Sequence, residues 1–466
     1  MHDQLKSEPR RQIPAVSKIL EALNDHSLPR PLAVRVVRRK LSEMRAAKEI
    51  PKLESIVAAI RCSLDELRAS RLQPVVNGTG IAIHTNFGRA PLASEAVRAL
   101  HVVASGYSNL EYDLAKGERG RRGGYVEDAL ALLCEAESAT VVNNCAAALL
   151  LIVNHFTNAN IKRGILKVKQ RTEVIISRGE LVQIGGGFRI GEILEASGAK
   201  LREVGATNKT TLDDYIGAIG PETAMILKVH RSNFFMAGFV KSPSSKEISA
   251  LAQKKGIAFV EDLGSGALHA TESFGIAEHE PTAAEALKGG ADLVCFSGDK
   301  LFGGPQAGII LGKKRFISGL KREPLFRALR CDKLCLAALQ TTVELHLDQK
   351  NGEIPMFAIL KMSESALRAR AEVICSSLRG LPMSIGIGRG RAKAGGGTLP
   401  SSNVASVTID ITPSNSSVAE FAATLRATDP PVIGYIANDR LKLDMRTIFP
   451  DQDDLVIKAI RAACTK

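Results

Sequence analysis

Lys300 stands in a glycine-rich turn, SGDKLFGGPQAG at 297–308, between two short apolar runs, Asp292–Phe296 and Gly308–Leu311. Runs of that length predict two buried strands of a hairpin. A lysine there is desolvated, which disfavours the ammonium and leaves an amine able to form a Schiff base with a carbonyl. Ser297, three residues earlier, is at an offset where a hydroxyl holds a cofactor phosphate while the lysine reaches an aldehyde. An exposed turn lysine is the other reading of the same residues.

Two further stretches carry groups such chemistry needs. The apolar run Ala139–Val142 ends in Asn143, Asn144 and Cys145 and leads into an Ala/Leu-rich helix over 146–153. Free backbone N–H groups at Asn144, Cys145 and Ala146 can cradle a phosphate there, or Asn144 can simply cap the helix. The run Ile257–Glu261 ends in EDLGSG, which places Asp262 at the carboxyl end of a strand, where α/β sheets bind ligands. A carboxylate in that place can bond a protonated ring nitrogen; a helix cap or a metal ligand are the alternatives. Arg89, in the glycine-bearing stretch VVNGTGIAIHTNFGRAPL at 75–92, is either an anion ligand or a surface arginine.

These residues need a scaffold, and the hydrophobic pattern supplies one. From about residue 126, short apolar runs at Ala139–Val142, Glu173–Ser177, Leu201–Val204, Ala224–Val229, Ile257–Glu261, Asp292–Phe296 and Gly308–Leu311 alternate with longer helical stretches. That alternation predicts an α/β domain over 126–350 with a mostly parallel sheet covered by helices. Before it, residues 1–70 read as a helical unit, with stripes at Ile13, Val16, Ile19, Leu20 and Leu23 and at Ile56, Val57, Ile60, Leu64 and Leu67. Between the stripes runs a basic cluster, Arg30, Arg35, Arg38, Arg39, Lys40, Arg45 and Lys48, suited either to nucleic-acid phosphates or to a solvated helix face. Residues 71–125 read as a linker and active-site loop segment, with a long ordered loop at 106–125. Beyond NGEIP at 351–355, a helix over 361–379, a glycine-rich basic loop at Gly386–Gly397, strands at Val404–Ile409, Val432–Ile436 and Leu441–Arg446 and a closing helix near 454–463 predict a small α+β domain over 351–466.

Composition narrows the class. The 466 residues are 45% hydrophobic, as in a soluble globular protein, and no apolar run reaches membrane-spanning length. The charged amino terminus does not resemble a signal peptide, so a cytoplasmic location is expected. Eight cysteines without a C-x-x-C pair predict reduced thiols and no metal site. A formal charge of +13 favours a polyanionic partner without requiring one.

Phosphate cradle, ring carboxylate and lysine, in that order, resemble a fold-type-I pyridoxal-phosphate enzyme. At finer grain the chain resembles the bacterial L-seryl-tRNA(Sec) selenium transferases. The stretches that carry this are HTNFGRAPL at 84–92, SNLEYDLAKGERGRR at 108–122, SRGELVQIGGGFRI at 177–190, FSGDKLFGGPQAG at 296–308, ALRCDKL at 328–334 and LDMRTIFPDQ at 443–452. The resemblance implies pyridoxal 5'-phosphate on Lys300, Asp299 assisting the chemistry, and Arg89, Arg327 and Arg330 binding the phosphate of the selenium donor, selenophosphate. Thr207, in VGATN, corresponds to part of a substrate-contacting segment. The implied reaction converts seryl-tRNA(Sec) to selenocysteinyl-tRNA(Sec) by loss of water and addition of selenium, in a homo-oligomer built as a ring of dimers. Ala206 stands where the family often has a second threonine, and Phe87 and Phe302 where leucines are usual. The rival expectation is a pyridoxal-phosphate lyase or aldolase acting on a free amino acid or a phosphorylated amino sugar, with Arg446 as the carboxylate clamp.

Overall fold

The computed structural model describes residues 14–23, 27–46, 52–162, 171–274 and 276–465. The chain forms two compact units, Met1–Val75 with Ala423–Pro431, and Val76–Ala422 with Val432–Lys466.

In the first unit, α1 (Val16–Leu23), α2 (Arg30–Ala46) and α3 (Leu53–Ala69) bury Ile19, Val37, Leu41, Ile56, Ile60 and Leu64 against one another. The apolar stripes of α1 and α3 therefore face a common core, as helical spacing requires. α2 turns Val36 and Val37 inward and leaves Arg30, Arg35, Arg38, Arg39 and Arg45 exposed. Arg39 and Lys40 both approach Glu43, at 3.8 and 3.0 Å. Ile13 and Lys48 lie outside the described residues.

Among the described residues the second unit holds two main sheets and three two-stranded ones. The strands of the two main sheets in chain order are β1 (Ile81–Ile83), β2 (Ser138–Val142), β3 (Glu173–Ser177), β4 (Lys200–Val204), β5 (Thr223–Val229), β6 (Ala258–Gly264), β7 (Leu293–Ser297), β8 (Gly308–Gly312), β9 (Met383–Gly395), β10 (Val404–Pro413), β11 (Tyr435–Ala437) and β12 (Arg440–Asp444). The large sheet has the order β2-β8-β7-β6-β5-β3-β4, parallel from β7 through β4, with β8 antiparallel to both its neighbours. Both of its faces are apolar and covered, with Ile226, Phe259 and Val294 in one layer and Met225, Leu227 and Val260 in the other. The alternation seen in the sequence thus gives the expected α/β layer structure.

The small sheet has the order β11-β12-β10-β9-β1. Here one expectation is corrected: Gly386–Gly397, read as a loop, is mostly the long strand β9, paired without interruption from Met383↔Pro413 to Ala392↔Val404. The glycines answer a crowded neighbouring strand. A Cβ at Gly388 would come 2.6 Å from Thr408 Oγ1, and one at Gly390 would come 2.7 Å from Asp444 Oδ2. β1 adds to the same sheet through Lys393↔Ile81 and Gly395↔Ile83, so the stretch before residue 125 contributes a strand as well as loops.

The helices that matter for the site are α4 (Ser94–Ala104), α5 (Gly124–Leu133), α6 (Cys145–Lys162), α7 (Pro324–Leu329), α8 (Lys333–Leu347) and α9 (Glu364–Ser377). α6 starts earlier and runs well past the expected 146–153. Between α4 and α5, residues 106–123 form a loop carrying one short hairpin, Tyr112↔Arg119, and the last two residues of the expected 106–125 loop open α5. Among the described residues no helix is long and apolar enough to cross a membrane.

Candidate active site

Lys300 sits in the connection between β7 and β8 and is 5% exposed. The turn is held at several points. Gly298 N donates to Ala307 O at 2.8 Å and Gly303 N to Lys300 O at 2.9 Å, while Leu301 N donates to Ser265 O at 3.0 Å. Ala90 N reaches Asp299 O at 3.2 Å, so the loop after β1 is fastened to the same turn. Phe302, one of the two residues that depart from leucine, is fully buried against Phe296 and His346, and His346 Nε2 donates to its carbonyl at 2.9 Å. Among the described residues no hydrogen bond or ion pair holds Lys300 Nζ.

The amine faces a cavity of about 270 Å3 lined by Arg89, Asn144, Cys145, Ala146, Leu149, Ile184, Gly185, Asp262, Gly264, Ser297, Lys300 and Gln306. Most of the residues singled out in the sequence therefore meet in one place. β6 extends to Gly264, which makes Asp262 a strand residue near the carboxyl end rather than the first residue beyond it. Burial pushes its carboxyl above the ordinary range, with Lys300 pulling it back. Cys145 Sγ donates to Asp262 Oδ1 at 3.5 Å, and Cys295 completes a trio whose ligand atoms lie within 4.8 Å of one another. Cysteine spacing could not reveal that trio, because its members come from α6, β6 and β7.

At the start of α6, Asn144 Oδ1 accepts from Ala147 N at 2.8 Å. Asn144 thus caps the helix and still leaves the N–H groups of Cys145 and Ala146, the first of the helix, directed outward. Gly308 permits this approach: a Cβ there would fall 2.1 Å from Asn144 O. Ser297 lines the cavity but its Oγ donates to Asp299 Oδ1 at 2.8 Å.

The arginines divide. Arg89 lines the cavity with φ of 68°, an uncommon left-handed backbone for a residue with a side chain. Its Nη1 lies 2.9 Å from both carboxylate oxygens of Asp299. Arg330 is the extended cap of α7, and its backbone bridges to Val142, two residues before Asn144. Its Nη1 reaches Glu111 Oε1 at 3.3 Å; Arg122 and Arg119 approach the same carboxylate at 3.0 and 2.9 Å and hold it below its usual range. Arg327 is exposed, with no carboxylate within 4 Å among the described residues. Thr207 is exposed too and lies outside the cavity lining, its carbonyl backed against Gly179. His84 stacks on Phe87 at 3.8 Å, and His230 Nε2 lies 3.1 Å from Glu280. Gln306, Ile184, Gly185 and Gly264 were not singled out, although three of the four fall inside the motif stretches.

The family model for L-seryl-tRNA selenium transferase matches residues 75–449. The chain belongs to the L-seryl-tRNA selenium transferase family. It is 40% identical over 457 residues to the L-seryl-tRNA(Sec) selenium transferase of Aquifex aeolicus, covering 97% of this chain and 98% of that one. It is 42% identical over 468 residues to the protein of the same name from Geotalea uraniireducens, with the same coverage. This family member is an enzyme, and its activity is selenium transfer to seryl-tRNA. Among solved structures, D-glucosaminate-6-phosphate ammonia-lyase resembles the chain with a TM-score of 0.59 at 19% identity, over 84% of this chain and 96% of that one. The chain shares the fold of that enzyme.

Proposed function

We propose that selenium transfer runs on pyridoxal phosphate held at Lys300, with selenophosphate as the donor and seryl-tRNA(Sec) as the acceptor. The observation that carries this is the convergence of a buried unheld amine, a buried carboxylate and a helix N-terminus on one cavity. The residues fit the cofactor. Gly264 leaves open a space in which a Cβ would sit 3.8 Å from Lys300 Nζ and 4.0 Å from Asp262 Oδ1. When bound, pyridoxal phosphate supplies an electron sink that makes the α-proton of a seryl group acidic and its β-hydroxyl a leaving group.

The chain's own residues supply the rest. Cys145 and Ala146 N–H groups at the start of α6 bind the cofactor phosphate, helped by the helix dipole. Ser297 serves the same phosphate once its hydroxyl turns from Asp299. Asp262 holds the proton on the ring nitrogen; the positive charge there offsets the burial that raises its carboxyl. Lys300 takes and returns the α-proton at Nζ. Asp299 orients Arg89, and Arg89, Arg327 and Arg330 bind the donor phosphate, for which guanidinium forks are suited. Thr207 remains a substrate contact by resemblance alone. The basic face of α2 in the 1–70 unit grips tRNA, and the working enzyme is a homo-oligomer, a ring of dimers in keeping with the family resemblance. The expected division into 71–125, 126–350 and 351–466 belongs to the same reading.

The lyase alternative loses its carboxylate clamp. Arg446 is 3% exposed and donates to the carbonyls of Ile359, Leu360, Met362 and Ala405, so its guanidinium is already committed to the backbone. A turnover assay separates the two readings. Selenium should enter seryl-tRNA(Sec) in the presence of selenophosphate, with no ammonia released from free serine or a phosphorylated amino sugar. Ammonia release without selenium transfer would reverse the conclusion.

A further inference from the structure

A second cleft, of about 1300 Å3, opens beside β9 in the small sheet. Strand alternation puts Arg389, Arg391 and Lys393 on one face of β9, all exposed, while Ala392 and Ala394 on the other face are buried. Alternate residues of a strand stand roughly 6.7 Å apart, so each of the three cations can meet a different anionic group. Arg368 of α9 adds a fourth. Among the described residues none of the four has a carboxylate within 4 Å, and the lining offers a single acid, Glu364. Nearby Asp410 is engaged by Lys442; Asp444 is buried, its Oδ1 accepting from Ser406 while its Oδ2 has no hydrogen-bond partner among the described residues and lies against Gly80 and Gly390 of the lining. The strand edge contributes as well. β1 pairs with Lys393 and Gly395, so among the described residues the backbone from Arg389 to Arg391 has no strand on that side.

One loop contributes to the linings of both this cleft and the Lys300 cavity. His84 lines the cleft, the backbone of His84 bridges to Arg89, with Arg89 N donating to His84 O at 3.0 Å, and Arg89 lines the cavity. A seryl group esterified to the end of a tRNA arrives trailing a chain of phosphodiesters, and those phosphates need cations along the approach. We propose that the cleft formed by Arg368, Arg389, Arg391 and Lys393 holds the sugar-phosphate backbone at the seryl-bearing end of the tRNA. The proposal rests on the functional reading above and adds to it four cations that no motif stretch contains. Tyr435, at the cleft margin, offers a ring on which an unstacked base can lie.

The test uses the full chain with its cofactor bound and compares it with R389Q/R391Q/K393Q and with the charge-keeping R389K/R391K. Binding of seryl-tRNA is followed as salt is raised. The triple variant should bind about 10-fold or more weakly at about 0.1 M salt, and its log–log salt slope should fall by roughly two. R389K/R391K should keep the slope of the unaltered chain. The cofactor's absorbance band reports that the variants are folded. Protection of phosphates at the seryl-bearing end against chemical modification should be lost in the triple variant only. Unchanged affinity and slope, in a protein whose unaltered form transfers selenium, would overturn the cleft assignment and leave the function standing. An unaltered chain that fails to transfer selenium to seryl-tRNA removes the functional reading and this proposal together. A triple variant whose assembled mass changes would make the cleft a contact between copies of the chain and overturn the proposal as well.

Discussion

Nη1 of Arg89 stands 2.9 Å from each carboxylate oxygen of Asp299, the residue next to Lys300. Asp299 is almost fully buried, its side chain 5% exposed, whereas Arg89 is about one-third exposed at 30%. The pair therefore joins the loop after β1 to the lysine turn, and Arg89 keeps enough of its surface to accept a donor phosphate. Removing one partner leaves the other charge unmatched. Arg89→Gln should destabilise the protein more than the double change Arg89→Gln with Asp299→Asn, with a coupling of roughly 1–3 kcal/mol by denaturant unfolding. Strictly additive effects would mean that the contact couples nothing.

Asp262→Asn should keep the cofactor yet slow α-proton exchange. A charge-assisted hydrogen bond of about 1.5–3 kcal/mol corresponds to roughly a 10- to 100-fold loss. Exchange measured in deuterated water on the seryl substrate checks this. A near-normal rate would remove Asp262 from the ring nitrogen.

Arg327→Gln and Arg330→Gln should raise the apparent KM for selenophosphate and leave the cofactor's absorbance in place. Arg330 should also disturb the 106–123 loop, because it shares Glu111 with Arg122 and Arg119. Proteolysis of that loop, faster in the Arg330 variant than in the Arg327 variant, is the expected signature. Loss of cofactor in either variant would point to a structural role instead.

Acid should loosen the lysine turn. Burial lowers His346 to a pKa of about 4, and the neutral ring donates to the carbonyl of Phe302. In the unfolded chain a histidine titrates near 6.5. Between about 6.5 and about 4 the unfolded state therefore binds more protons, and stability falls as pH drops through that window; above it the contribution is complete. The loss is at most about 3 kcal/mol. His346→Asn should lower stability at pH 7 and flatten its fall between pH 7 and 4. An unchanged fall would assign the acid sensitivity to other groups.

The lysine hairpin, the strand-to-helix junction at Asn144–Ala146 and the place of Asp262 near a strand's carboxyl end were legible because each rests on local pattern: short apolar runs, a Gly-rich turn, a strand that feeds a helix. Residues placed by distant contacts were not. Cys295 meets Asp262 only through strand pairing, and Arg330 finds Glu111 across 219 residues of chain. β9 was misread because its glycines mark crowding by Thr408, Asp410 and Asp444, and crowding is invisible until the neighbouring strands are known. Arg446 looked available in sequence and is spent on carbonyls in the fold.

Lys300 is the centre of this reading, and reductive labelling addresses it directly. Borohydride reduction of the full-length protein with pyridoxal phosphate, followed by peptide mass analysis, should find the pyridoxyl group on the peptide containing Lys300. Lys300→Ala should carry none and lose selenium transfer. A label on another lysine, or a Lys300→Ala protein that is still labelled and active, would contradict the assignment.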